Sequence, residues 1–240
     1  MNLKRITLML IAVIMLCTSV AQAKTLEFTI TELPATRNID FSSTSASVKL
    51  TWKAVPFADG YKIFDSEGNE IGSTNEASFT VGNLKAATDY AFSVKAYASV
   101  DGETYVSGSS KSINTATKPA KTATVTATST VSSVTVRWSK VTGADSYDIY
   151  KYNSKTKAYE FFKNVTGTSL TEKSLKSLTS YYYSVRAVKN AADGTKLTGD
   201  PKNIKVTTIP TAVSSLTAST TASSVTLKWS KVSGVESYNV

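Results

Sequence analysis

The 240 residues include no histidine and a single cysteine, Cys17. Without imidazole there is no side chain that titrates near neutral pH by default, and without paired thiols there is no disulfide and no Cys/His metal centre. Carboxylates and hydroxyls remain, yet none forms the nucleophile and base pairing of acyl transfer or the flanking carboxylates of glycoside cleavage. Asp65, Glu67 and Glu70 crowd one turn where no cleft is expected, and their spacing matches no EF-hand loop. The chain reads as non-catalytic, with no cofactor, no metal and no catalytic residue. Helical periodicity is also missing after residue 23. The longest apolar run, Ile6 to Cys17, covers about 12 residues, short of the ~20 that a membrane-crossing helix needs.

That apolar run has another use. Lys4 and Arg5 precede it and Ala21-Gln22-Ala23 follows it, the layout of a secretory signal peptide over residues 1–23, with the exported protein starting at Lys24. Lipidation at Cys17 is disfavoured by Leu16, since that signal takes a small residue there. Cys17 leaves with the signal, so the exported chain rests on packing without disulfides. It is expected to be secreted or displayed at the cell surface.

One stretch occurs three times. Val48-Lys49-Leu50-Thr51-Trp52 leads to Tyr61, Val134-Thr135-Val136-Arg137-Trp138 to Tyr147, and Val225-Thr226-Leu227-Lys228-Trp229 to Tyr238. Each tyrosine falls nine residues after its tryptophan, and Val55, Val141 and Val232 fall three after. Apolar and polar residues alternate up to each tryptophan, the period of a half-buried strand, so the tryptophans belong to cores. A repeat of about 90 residues is too long for a solenoid unit and suits a bead that closes its own core.

The predicted organisation is a first module over 24–117, a second over 118–208, and the N-terminal part of a third, incomplete one over 209–240. Strands are predicted at 25–31, 48–52, 61–65, 78–81, 90–97 and near Ile113, and in the second module at 123–128, 134–138, 147–152, 159–163, 169–171, 181–188 and 204–207. Asp101-Gly102 and Asp193-Gly194 mark hairpin turns. Short, proline-marked linkers, Thr117-Lys118-Pro119 and Thr208-Ile209-Pro210, favour limited bending between neighbours. Short strands with turns at this spacing indicate an all-β sandwich.

Trp52, Tyr61, Leu84 and Tyr90, and again Trp138, Tyr147, Leu175 and Tyr181, resemble the marks of the fibronectin type III repeat: a strand B tryptophan, a strand C tyrosine, and a leucine six residues before the tyrosine corner of strand F. The resemblance implies tandem immunoglobulin-like sandwiches of seven strands, in a family used chiefly as spacer and recognition surface. The sequence texture is similar to the repeats of secreted bacterial proteins. In animal fibronectin an integrin-binding Arg-Gly-Asp lies in the F-G loop. Val100-Asp101-Gly102 and Ala192-Asp193-Gly194 carry no arginine, so that activity is not implied.

Charge is uneven. Residues 118–207 hold 15 Lys and Arg against 6 Asp and Glu, whereas residues 24–117 hold 8 against 11. If Tyr147 and Tyr181 point inward, then Tyr150, Tyr152, Tyr182 and Arg186 share one outward face of the second module, with Lys151, Lys155 and Lys157 on or beside the hairpin. These seven residues are the candidate binding set. Rings with cations suit sugars, anionic polymers or a partner protein, although exposed tyrosines also stabilise cross-strand pairs in their own right. Nucleic acid is not expected, since neither a groove-reading helix nor an RNA-binding platform is visible.

Three functional readings follow. The leading one is a non-catalytic extracellular module array, a monomer acting as spacer or interaction scaffold for other domains of a longer chain or for a cell-surface polymer or protein. The second is an adhesin or a protein binding glycan or anionic polymer through the Tyr/Arg/Lys face. The third is the N-terminal part of an extracellular enzyme whose catalytic domain lies beyond residue 240.

Overall fold

The computed structural model describes residues 33–100 and 102–240, together with the backbones of two short strands nearer the N-terminus, β1 (Ile6–Met9) and β2 (Glu27–Ile30), which pair antiparallel. The expected signal peptide otherwise lies outside the described residues. The described residues contain no helix, and none therefore long and apolar enough to cross a membrane. The chain divides into two compact units, residues 1–85 with 89–117, and residues 86–88 with 118–240.

In the first unit β3 (Asp40–Ser43), β4 (Val48–Thr51) and β7 (Ser78–Val81) form one sheet in the order β3-β4-β7. The other sheet is built on the long β8 (Asp89–Val100), flanked by β5 (Gly60–Phe64), β6 (Glu70–Thr74), β9 (Glu103–Val106) and β10 (Ile113–Ala116) in the order β10-β8-β5-β6, with β9 also on β8. Of the run expected to open this sandwich, 25–31, the structure describes Glu27–Ile30, which among the described residues pairs with neither sheet. Its β2 pairs with β1, and Asp40–Ser43 takes the edge beside β4 instead, where Phe41 lies opposite Leu50 and packs on the core.

The second unit repeats the plan. The strands β11 (Val125–Ser129), β12 (Val134–Trp138) and β15 (Ser169–Glu172) make a three-stranded sheet. Facing it are β13 (Ser146–Asn153), β14 (Ala158–Val165), β16 (Ser180–Asn190) and β17 (Lys196–Thr198) in the order β14-β13-β16-β17, with β18 (Lys202–Thr207) also on β16. Gly194 sits at φ 87° in the turn between β16 and β17, a conformation that the missing Cβ permits. A last hairpin, β19 (Thr217–Thr220) and β20 (Val225–Lys228), pairs only with itself among the described strands and is exposed along its length.

The three-fold repeat has a local cause. In each copy the tyrosine ring meets the tryptophan at a steep angle, edge on for Trp52 with Tyr61 and Trp229 with Tyr238 and tilted for Trp138 with Tyr147, with centroids 5.1 Å, 5.2 Å and 5.4 Å apart. The tyrosine hydroxyl then accepts a hydrogen bond from the backbone N–H of the valine after that tryptophan, at 2.8 Å for Val55, 2.8 Å for Val141 and 2.7 Å for Val232. One side chain thus fills the core and satisfies a backbone donor where the chain leaves the strand, which requires both spacings at once. The leucine and tyrosine of the corner act similarly. Leu84 N–H donates to Ala46 O and Lys85 N–H to Tyr90 Oη, and Leu175 and Lys176 repeat both bonds with Ser132 and Tyr181.

Tyr147→Phe keeps the ring and strands the buried Val141 N–H. A loss of about 1–3 kcal/mol is expected, the cost of an unsatisfied buried donor. A urea titration would show a lower midpoint with an unchanged slope.

Candidate functional site: an aromatic and cationic sheet face

On β13 the side chains alternate. Tyr147 and Ile149 are buried in the core, while Tyr150 and Tyr152 lie on the outer face. The register brings other strands to the same face: Tyr150 lies opposite Phe161 on β14 and Ser184 on β16, Tyr152 opposite Tyr159, and Tyr182 opposite Lys205 on β18. Ring centroids are 5.5 Å apart for Tyr159 and Tyr152 and 5.8 Å for Tyr152 and Tyr182, so three tyrosines from three adjacent strands stand in a row. Tyr150 and Phe161 form a further pair at 5.9 Å. Phe161 is 58% exposed, Tyr159 37%, Tyr182 37% and Tyr152 36%. The crowding registers on Tyr159, whose phenol is pushed above its ordinary pKa by burial, with Tyr152 and Tyr182 adding to it.

Cations border the rings. Arg186 lies 5.5 Å from the Tyr150 centroid, Lys205 5.7 Å from Tyr182, and Lys196 6.0 Å from Phe161. Among the described residues neither Arg186 nor Lys205 has an ion-pair partner. Asp148, the carboxylate on this face of β13, is only 2% exposed and is held by Lys196 at 2.7 Å and by Asn164 Nδ2 at 2.8 Å. The accessible charge of the face is positive.

The expected set is therefore only partly assembled. Tyr150, Tyr152, Tyr182 and Arg186 come together. Lys155 and Lys157 are exposed in the β13–β14 turn, just past the Tyr152 and Tyr159 pair. Lys151 does not join them. It alternates to the inner side of β13, where its ammonium meets Glu172 Oε1 at 2.5 Å and lies 4.9 Å from the Tyr181 centroid. Glu172 Oε2 accepts the hydroxyl of Tyr183, a fully buried residue, at 2.5 Å. The ion pair draws Lys151 inward because Glu172 would otherwise sit at the core edge uncompensated. Tyr159, Phe161 and Lys205 were missing from the expected set. The two rings were legible as outward positions on a predicted strand, but their partners depend on the β13–β14 register, which shifts at Ile149/Tyr150.

The acidic turn of the first unit is a structural turn. Asp65 accepts hydrogen bonds from the Asn69 side chain and from the backbone of Asn69 and Glu67, and these hold its carboxyl below the usual range. Glu70 pairs with Lys62 at 2.8 Å.

The fibronectin type III domain model matches residues 34–110. Exoglucanase B of Cellulomonas fimi is 28% identical over 226 residues, 82% of this chain and 20% of that protein. The human receptor-type tyrosine-protein phosphatase H is 29% identical, covering 80% of this chain and 17% of the phosphatase. Chitinase A1 of Niallia circulans is 28% identical, covering 68% of this chain and 24% of the chitinase. The chain spans about a fifth of the length of these curated relatives. The matched domain model covers the first sandwich, and the second repeats its strand order and its tryptophan, valine and tyrosine geometry: residues 34–110 form a fibronectin type III domain, followed in tandem by a second sandwich of the same plan.

Proposed function

We propose that the chain is a non-catalytic extracellular module array, serving as spacer and interaction scaffold within a longer protein. The observation that carries this reading is that each sandwich closes its own core with the same tryptophan–tyrosine pair and the same backbone bond. A unit that buries its own core needs no neighbour for stability and can be strung in series. Relatives with names as different as an exoglucanase, a receptor phosphatase and a chitinase support a module that accompanies other activities. Export rests on Lys4, Arg5, the apolar run and Ala21-Gln22-Ala23.

The spacer role predicts a defined distance between modules. Spin labels at Thr80→Cys and Lys173→Cys, both exposed sites, in a chain starting at Lys24 would report it by pulsed electron resonance. A narrow distance distribution is expected. A broad distribution, like that of a flexible-coil linker, would remove the spacer role and leave only a scaffold.

A further inference from the structure

The outer face of the second module carries more apolar surface than the fold requires, and the first module is the internal control. Superposing the registers, Tyr150 corresponds to Phe64, Phe161 to Glu70, Tyr182 to Ala91 and Lys205 to Asn114. The same strands pair in the same order there with one ring at these four positions, while Tyr152 and Tyr159 lie on an extension of the β13–β14 hairpin past the point where β5 ends and β6 begins. The rings of Phe161 and Tyr182 are thus not a condition for forming the sheet, and the second module exposes them, with Tyr152 and Tyr159, at the cost of leaving apolar area in water.

We propose that the face built on Tyr159, Tyr152 and Tyr182, bordered by Phe161, Arg186 and Lys205, is a docking strip for a single chain of an acidic polysaccharide. Three observations select that occupant. The three tyrosines advance one strand at a time, a spacing of 5.5 and 5.8 Å that is comparable to the length of one hexose in an extended chain. The apolar C–H faces of sugars pack on ring faces, while ring hydroxyls hydrogen-bond to sugar hydroxyls. The rings meet at interplanar angles of 66° and 67°, so the strip is corrugated and suits one chain rather than the flat face of a crystalline bundle. Arg186 and Lys205 supply the charge complement. Each is held beside a ring with no carboxylate partner among the described residues, which leaves N–H donors for carboxylate groups along the polymer. The face's own carboxylate is buried and neutralised by Lys196.

The inference rests on the extracellular scaffold reading, and its test is separate from the distance measurement. The full chain is run by native affinity electrophoresis through gels containing polygalacturonate or an uncharged β-glucan. Retardation by polygalacturonate, weakened by added salt, is expected. Importing the first module's residues with F161E, Y182A and K205N, substitutions that the same strands already accommodate, should weaken retardation at least 10-fold with the melting temperature held within a few degrees. Should that triple variant lose its fold, Tyr182→Ala and Arg186→Gln are measured singly, and each is expected to weaken binding several-fold. Three outcomes would overturn the proposal: no retardation, equal retardation by the uncharged glucan, or unchanged binding by the folded variants. So would sedimentation showing a wild-type dimer that the triple variant dissolves, since the strip would then bind a second copy.

Discussion

Trp138→Ala should lower the melting transition of the second module by about 20 °C while leaving that of the first module in place. Trp138 is 6% exposed and packs among Val134, Val136, Val141 and Tyr147. Removing so large a side chain costs about 3–5 kcal/mol, from lost burial and from the cavity left behind. A module of about 90 residues shifts by roughly 5 °C per kcal/mol. The loss has a second part here, because Tyr147 leans its ring on the indole and would no longer be held where its hydroxyl receives the Val141 N–H. Trp138→Phe should cost less. The indole N–H of Trp138 is buried without a hydrogen-bond partner among the described residues, so its removal relieves a polar group while retaining a ring. Scanning calorimetry of the full chain, with Trp52→Ala as the mirror experiment on the first module, would show which transition moves. Equal shifts of both transitions by either variant would mean that the two cores do not fold as separate units.

Glu172→Ala is the other large effect, expected at about 3 kcal/mol. The substitution leaves the fully buried Tyr183 hydroxyl without its acceptor and the Lys151 ammonium without its counter-ion. Breaking a partly buried pair from one side costs more than replacing it whole. The first module shows the apolar solution, with Val81 and Phe92 at the positions of Glu172 and Tyr183. The double variant E172V, Y183F should therefore be more stable than E172A, and a double-mutant cycle should give strong coupling between the two sites. The pH dependence has a definite sign. Burial, and then the hydrogen bond and charge of Glu172, push the Tyr183 phenol far above its ordinary pKa. The folded form keeps a proton that the unfolded form releases near pH 10, so this contribution is complete below about pH 10 and is lost as pH rises beyond it. The difference in stability between wild type and Tyr183→Phe should shrink by about 1.4 kcal/mol per pH unit above that point. A difference that stays constant up to pH 12 would show that the phenol ionises freely in the folded module.

Much of this protein was determined by sequence alone because its informative residues recur at fixed spacing. Alternation up to Trp52, Trp138 and Trp229 named the core strands, and the tyrosine nine residues on and the corner leucine and tyrosine named the fold. A repeat signal of that kind is local, and each strand's alternation survives whatever the partner strand does. The first edge strand was not legible, because Asp40–Ser43 has little apolar pattern beyond Phe41, whereas the run 25–31 has a good one and its described part, Glu27–Ile30, pairs elsewhere. The site divides the same way. Outward tyrosines on β13 and β16 followed from parity, since successive side chains must alternate. Parity puts Lys151 on the inner side of β13 but could not name its partner Glu172, a residue 21 positions away on the opposite sheet. Nor could it bring Tyr159 and Phe161 beside Tyr152 and Tyr150 across a register shift, or seat Lys205 next to Tyr182. Those neighbours come from pairing between strands and packing between sheets, and only the tertiary structure decides which distant residue fills the space beside a given side chain.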